Sequence, residues 1–224
     1  MVALFVLLMF ILFIVIDIFV LKAQKKTHPA FEVEPQFTSS SVFTKNTIVT
    51  PEGFYFSQGH TWAKEDEYGM VKVGVDDFIL KALGKFKYHQ TAAPGSKIKK
   101  GDVIFEGGRG KDTFKFRSPV DGIVRMANSS VIGINLTEPY ENSWGILVEP
   151  NNFATNKASL ISGSKISEWM KEEFNRFKEF LNVHTMKPEL AGLTMQDGGN
   201  IVEGAISSIN TEGLKDFEKE FLSF

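Results

Sequence analysis

A glycine-rich turn between two β-prone runs is the feature that most constrains the fold of this chain. Residues 101–122 hold two short, mostly extended segments separated by Gly107, Gly108 and Gly110, with Lys111 directly after the last glycine. Glycine reaches backbone angles that are closed to other residues, and glycine clusters between β-rich runs are typical of hairpins. The segment therefore predicts a hairpin with Lys111 exposed at its tip, where a lysine is better placed for modification than for packing.

The region from Gly53 to about Pro150 has the pattern of a small β domain. Short β-prone runs alternate with turn signals at intervals of roughly 8–12 residues, which favours an antiparallel sandwich or barrel. One helix is predicted over Asp76–Leu83, because its apolar residues share a face. The residues expected to face the core are Val73, Val75, Ile104, Ile123 and Leu147.

The N-terminus has the pattern of a membrane anchor. Residues 2–21 are almost wholly apolar, interrupted only by Asp17, and lysines follow the run. About 20 helical residues span a hydrocarbon core of about 30 Å, and basic residues mark the cytoplasmic end. We therefore predict an uncleaved single-span anchor over residues 1–22, in contact with the lipid bilayer through 2–21, with the globular domain on the cytoplasmic side. Asp17 either lies near the interface or contacts another transmembrane subunit.

The segments on either side of the β domain differ from it in composition. Residues 23–50 mix prolines, serines and threonines with scattered aromatics, which suits an extended linker. Residues 153–224 predict a helical C-terminal extension, with one helix over Lys165–Leu181 and another from the N-cap Thr211 to Phe221. The aromatic stripe of the first helix serves either as core packing or as a docking face.

Composition and residue types exclude several classes of function. The 224 residues carry 25 basic and 27 acidic side chains and no cysteine. This balance gives no electrostatic case for binding nucleic acid, and the lack of cysteine removes disulfides and thiolate chemistry. The histidines are scattered, so no metal site is predicted. His60, next to Trp62, is interpreted as a packed or hydrogen-bonded residue, and Asp76 as a helix cap.

No catalytic cluster is visible in the sequence. The glycine-rich turn before Lys111 lacks the Gly-Lys-Ser/Thr ending and the following helix of a phosphate-binding loop. No serine or threonine stands in a recognisable arrangement with a histidine. The chain is therefore predicted to have no active site of its own and not to be an enzyme in its own right.

Several segments, in order, resemble the glycine cleavage H-protein family of lipoyl carriers. They are Ser57-Gln58-Gly59-His60-Thr61-Trp62, Val73-Gly74-Val75-Asp76-Asp77-Phe78, Ala82-Leu83-Gly84, Pro94-Gly95-Ser96-Lys97-Ile98-Lys99-Lys100-Gly101-Asp102, Ser118-Pro119-Val120-Asp121-Gly122, and Pro139-Tyr140 followed by Trp144-Gly145-Ile146-Leu147. The resemblance implies a mainly β, barrel-sandwich hybrid domain over residues 51–152.

The resemblance also implies lipoate covalently attached to Lys111. This lysine stands where the family carries its lipoyl-lysine, ten residues after Gly101 and eleven before Gly122. Its flanks depart from the family pattern, since Gly108 replaces an acidic residue, Gly110 a small apolar residue, and Asp112 an alanine.

Two functions remain open from the sequence. The first is a membrane-anchored carrier that presents a lipoyl-lysine to membrane-associated enzymes of a redox or one-carbon process. The second is a non-lipoylated structural or accessory subunit of a membrane protein complex that retains the fold.

Overall fold

The computed structural model describes residues 42–184 and 201–223, the backbone of residues 195, 196 and 200, and residues 6, 9 and 12–14. The chain divides into two compact units, residues 1–40 and residues 41–224. The predicted anchor lies almost wholly outside the described residues; residues 6, 9 and 12–14 of it are helical and exposed. No helix among the described residues combines the length and the hydropathy needed to cross a bilayer.

The second unit is built mainly from short strands with helices between and after them. The strands are β1 (Val42–Phe43), β2 (Tyr55–Phe56), β3 (Thr61–Glu65), β4 (Val71–Val75), β5 (Lys87–Thr91), β6 (Lys97–Ile98), β7 (Val103–Arg109), β8 (Asp112–Arg117), β9 (Gly122–Ala127), β10 (Ile146–Pro150), β11 (Met195–Gln196) and β12 (Asn200–Val202). The helices are α1 (Asp77–Leu83), α2 (Phe153–Lys157), α3 (Lys165–His184) and α4 (Thr211–Phe221), with 3-10 turns at Ser129–Val131 and Ala205–Ser208.

The strands form three antiparallel sheets among the described residues. The largest has the order β2-β3-β4-β10-β9-β6, a second has the order β5-β7-β8, and a small third sheet has the order β1-β12-β11. Buried side chains of the first two sheets, such as Val73, Ile104 and Val148, belong to one hydrophobic core. The predicted mainly β fold with a helical C-terminal part is confirmed.

The predicted side-chain directions were wrong in two strands. Ile123 and Leu147 are only partly buried, whereas Val124 and Val148 are completely buried. Both strands carry apolar residues in adjacent positions, so the alternation did not fix which face points inward. A register shift between Leu147 and Val148 adds to this, because a bulge breaks the period of two.

The aromatic stripe of α3 packs on the chain's own β domain. Phe177 is completely buried and its ring lies 5.4 Å from that of Phe78 on α1. Phe221 of α4 contacts both rings, at 5.8 Å and 6.2 Å. Of the two roles left open for the stripe, core packing is the one that the structure shows.

Part of the segment predicted as a linker also belongs to this core. Val42 and Phe43 form β1 and pair with Val202 and Ile201 of β12. The Phe43 side chain is completely buried, and its ring lies 5.2 Å from that of Phe174 on α3. The chain therefore joins the folded unit at Val42, held between the β domain and the C-terminal extension.

Side-chain caps fix where two helices begin. Asp76 is the N-cap of α1 and accepts a hydrogen bond from the backbone N–H of Ile79, as predicted. The N-cap of α4 is Asn210, which accepts from the N–H of Gly213, so the prediction of Thr211 was wrong by one residue. Asparagine and threonine both serve as N-caps, and Asn210 and Thr211 are adjacent, so residue type alone did not decide between them.

Candidate functional site

Lys111 lies at the tip of the hairpin formed by β7 and β8. Arg109 pairs with Asp112 at the end of the ladder, so Gly110 and Lys111 alone make the turn. Gly110 has a φ of +61°, the left-handed region that a two-residue turn of the II′ type requires at its first position. Lys111 is exposed. The predicted hairpin with an exposed lysine at its tip is confirmed.

The space around this tip is open. A Cβ atom built on Gly110 would have no neighbouring heavy atom within 4 Å. Lys111 is itself exposed and Gly110 adds no bulk beside it, so the site fits a covalently attached arm. A lysine amine can form such an amide bond only while it is exposed to the enzyme that attaches the group.

The hairpin stem is packed so tightly that two of its glycines cannot carry side chains in this arrangement. A Cβ on Gly108 would lie 2.0 Å from the carbonyl oxygen of Asp112. A Cβ on Gly107 would lie 2.6 Å from the carbonyl oxygen of Lys87 and 2.6 Å from Cζ of Phe86. Gly108, which departs from the family's acidic residue, is thus required by the local packing of this chain.

The outer face of the hairpin is polar and the inner face aromatic. On the outer face, His89 of β5 contacts the hydroxyl of Thr113 at 3.2 Å through its Nδ1 atom. On the inner face, the rings of Phe86 and Phe116 are 5.5 Å apart. Both faces hold the stem in a fixed position, while the two turn residues project beyond it.

A second group of charged side chains, distant in sequence from the hairpin, is buried. His60 has its Nδ1 atom 2.8 Å from Asp76 and its Nε2 atom 3.2 Å from Glu173 of α3. Its ring stacks between Phe78, at 4.4 Å, and Trp169, at 5.4 Å. The sequence predicted a packed or hydrogen-bonded His60, which is confirmed, but it gave no signal for Glu173.

The electrostatics of this cluster favour a protonated histidine. Burial alone lowers the pKa of His60, but the facing carboxylates of Asp76 and Glu173 outweigh it and raise the pKa to about 9. Burial also raises the pKa of Asp76, and the imidazolium opposes that rise. We place the shared proton on His60, because each of its ring nitrogens faces a carboxylate to which it can donate.

The same cluster reaches the surface through an arginine. Arg176 lies 2.8 Å from Glu173, donates to the backbone carbonyl of Glu220, and stacks over the ring of Phe221. His60, Asp76, Glu173 and Arg176 thereby join the β domain, α1, α3 and α4 in one ionic network. The charged groups of this network pair with one another, which is typical of a structural ion-pair network.

The rest of the described chain offers no candidate residues for metal binding or acid–base catalysis. Within the described residues, no group of three or more His, Cys, Asp or Glu side chains could hold a metal ion. His184 lies 3.9 Å from Asp216, and Asp77 pairs with Lys81 on α1 and accepts from the backbone N–H of Val49. These contacts hold the helices and the segment around Val49 in place.

Comparison with known proteins decides the family. The family model for the glycine cleavage H-protein matches residues 54–173, more than half of the chain. The chain belongs to the glycine cleavage H-protein family. The "Probable glycine cleavage system H protein" of Pyrococcus abyssi is 32% identical over 124 residues, which cover 54% of this chain and 91% of that protein.

More distant H proteins match the same region. The mitochondrial glycine cleavage system H protein of Oryza sativa subsp. indica is 26% identical over 147 residues, covering 64% of this chain and 86% of its own length. Among solved structures, a glycine cleavage system H protein from Mycobacterium marinum aligns over 54% of this chain and 98% of its own, with 20% identity and a TM-score of 0.47.

Membership in the family establishes the class of cofactor and the lack of an active site. H proteins carry lipoate covalently on a lysine and have no active site of their own. The predictions of lipoate as cofactor and of a carrier without its own active site are thereby confirmed for the family to which the chain belongs. The attachment of lipoate at Lys111 in this chain stays a prediction.

The family match ends in the middle of a helix. The last matched residue is Glu173 on α3, the hydrogen-bond partner of His60. The helix continues to His184. Residues 174–224 are thus an addition to the family's own domain. They include Phe174, Phe177, Phe217 and Phe221, which are all buried.

Proposed function

We propose that this chain is a membrane-anchored lipoyl carrier, with the lipoyl group in amide linkage to Lys111. The observation that carries the proposal is the exposed lysine on a two-residue turn, inside the region matched by the H-protein family. When attached, a lipoyl group supplies a disulfide that can be reduced or can hold a fragment in transit, so the hard chemistry belongs to the cofactor. The chain supplies attachment and presentation.

The residues around Lys111 have separate tasks in this carrier. The ladder pair of Arg109 and Asp112 closes the stem and so fixes the position of the turn, while the Lys111 side chain is exposed. Gly110 gives the turn its backbone angle without adding bulk beside the lysine. In the attachment step, the Lys111 amine attacks the carbonyl carbon of an activated lipoyl group. The new amide bond forms as the activating group leaves and the amine loses a proton.

The carrier's partners, in this proposal, are membrane-associated enzymes of a redox or one-carbon process. The support is the apolar run of residues 2–21 and the lysines at 22, 25 and 26. A tether restricts the search for a membrane-bound partner and raises the effective concentration of the lipoyl arm there. The globular domain lies on the cytoplasmic side, because the basic residues follow the apolar run.

Attachment is tested by transfer to the full chain from lipoate and ATP with a lipoate ligase, followed by intact mass. The wild-type chain gains one lipoyl increment, and Lys111→Arg gains none, because arginine keeps the charge but cannot form the amide. Lys115→Arg, at an exposed lysine of β8 four residues after Lys111, is the matched control and accepts the group normally. Transfer to Lys111→Arg at the wild-type level would place the site elsewhere.

Anchoring is tested by fractionation of cells that produce the full chain. We expect the chain in the membrane fraction, resistant to high salt and released by detergent, since an apolar helix is held by hydrophobic burial rather than by charge. A chain starting at Ser41 serves as the control and is expected in the soluble fraction. Recovery of the full chain in the soluble fraction would overturn the anchor.

A further inference from the structure

The C-terminal extension contacts the hairpin that carries Lys111. Phe217 of α4 packs against Phe114 of β8, with ring centroids 5.6 Å apart in an edge-to-face arrangement. Both side chains are buried, Phe217 completely. Edge-to-face is one of the arrangements that aromatic pairs prefer, so this contact attaches α4 to β8 as well as burying both rings.

The next residue of the extension binds the backbone of the same strand. The carboxylate of Glu218 accepts a hydrogen bond from the backbone N–H of Lys115 at 3.1 Å. In the described part of the chain, β8 pairs with β7 on one side and lies at the edge of its sheet on the other. An edge strand presents unpaired backbone groups, and Glu218 takes up one of them four residues from Lys111.

The extension also approaches the hairpin closely near Gly204. The guanidinium of Arg109 lies so close to Gly204 that a Cβ built there would be 3.2 Å from its Nη1 atom. The backbone N–H of Gly204 in turn donates to the carbonyl of Lys81 on α1. The extension therefore contacts β8 at Phe114 and Lys115 and lies close to Arg109 of β7, on the other side of the turn.

From these contacts we infer that residues 201–223 position the Lys111 hairpin, with Glu218 as the positioning residue on β8. The extension closes the edge of β8 and leaves the tip and the outer face, with Thr113 and His89, as the approach to Lys111. An enzyme that acts on Lys111 then meets a hairpin already held in one orientation. Preorganisation of this kind favours binding, because less freedom is lost in the complex.

This positioning lies beyond the family's common domain, since the family match ends at Glu173 and the contacting residues follow it. It rests on the proposed function, because positioning matters only if Lys111 is the residue acted upon. The hydrogen bond that the Glu218 carboxylate makes to the hairpin is to the Lys115 backbone N–H and not to Lys111. Its effect passes through the Lys115 backbone and the stem.

The test compares Glu218→Ala with Glu218→Gln in the full chain. Alanine removes the acceptor, whereas the glutamine amide oxygen can still accept from the Lys115 N–H. Glu220→Ala, an exposed glutamate on the same helix, is the matched control for charge. The two readouts are hydrogen exchange at the Lys115 amide and the kinetics of lipoyl transfer to Lys111, with melting temperatures to verify folding.

We expect the Lys115 amide to exchange about tenfold faster in Glu218→Ala, the factor that follows from losing a hydrogen bond to a charged acceptor. Lipoyl transfer should lose several-fold in kcat/KM, through KM, and Glu218→Gln should restore both. Equal transfer kinetics in wild type and Glu218→Ala would overturn the inference and leave the carrier function intact. If the wild-type chain accepts no lipoyl group at all, the proposed function fails, and the positioning role fails with it.

Discussion

His60 is the residue at which the β domain, α1 and α3 are joined. It adopts a φ of +58°, which is uncommon for a residue with a side chain, and it is completely buried. Such a conformation persists where the surroundings hold it, and here two carboxylates and two aromatic rings do so. The ionic network around it links the family's domain to the extension through Arg176.

The raised pKa of His60 makes stability depend on pH. A histidine with a pKa near 6.5 when unfolded and about 9 when folded stabilises the protein fully below pH 6.5. That contribution, on the order of 3 kcal/mol, is lost as the pH rises toward 9. We expect the free energy of unfolding, measured by denaturant titration, to fall between pH 6.5 and pH 9.5.

Replacing His60 by glutamine isolates this effect from other titrating groups. The His60→Gln chain should be less stable at pH 6.5, and its stability should change much less over the same pH range. The groups that face the imidazole are Asp76 and Glu173, with Arg176 behind Glu173, so no other charge contributes directly. Parallel pH profiles for the two chains would contradict the assignment of the proton to His60.

At the scale of elements, α4 closes the core of the β domain. Phe217 is surrounded by the rings of Phe114, Phe177, Phe180 and Phe221, at centroid distances between 5.0 and 6.0 Å. It comes from the addition to the family's domain, yet it is as buried as any strand residue. The extension is therefore part of the fold that carries the lysine hairpin.

Truncation of Phe217 to alanine should cost about 3–5 kcal/mol of the free energy of unfolding, the usual range for a buried phenylalanine. The loss follows from the removed contact area and from the cavity left between four rings. Tyr68→Ala, at a side chain that is 83% exposed, is the control and should change stability by less than about 0.5 kcal/mol. A similarly small loss for Phe217→Ala would mean that α4 lies on the domain without sealing it.

The elements that the sequence predicted well are those with strong local signals. The turn at Gly110 and the helix capped by Asp76 depend on neighbouring residues and were predicted with their roles. The pairing of β1 with β12 depends on residues 158 or 160 positions apart in the chain, such as Val42 and Val202. No local pattern carries such a pairing, so residues near Val42 were predicted as linker.

The candidate site was predictable for a related reason. Lys111 and its glycines are contiguous, and their spacing to Gly101 and Gly122 is fixed by the hairpin itself. The support from Glu218 and Phe217 comes from more than one hundred residues away, as the separation of 103 between Lys115 and Glu218 shows. Such support depends on how α4 packs, which the amphipathic pattern of one helix does not determine.

At the scale of the whole molecule, the chain combines three parts with distinct tasks. The family's domain presents the lysine hairpin, the extension beyond Glu173 seals the domain and braces that hairpin, and the proposed anchor brings both to a membrane. In the proposed function, a lipoyl group on Lys111 unites these parts. The braced stem and the open tip are both explained by that modification.

The most direct test is the mass of the chain purified from its native cells, with peptide mapping across residues 101–122. We expect one lipoyl increment, carried by the peptide that contains Lys111 and lost in the Lys111→Arg variant made at the native locus. An unmodified Lys111 in native material would contradict it. The chain would then be an accessory subunit that retains the H-protein fold without carrying its cofactor.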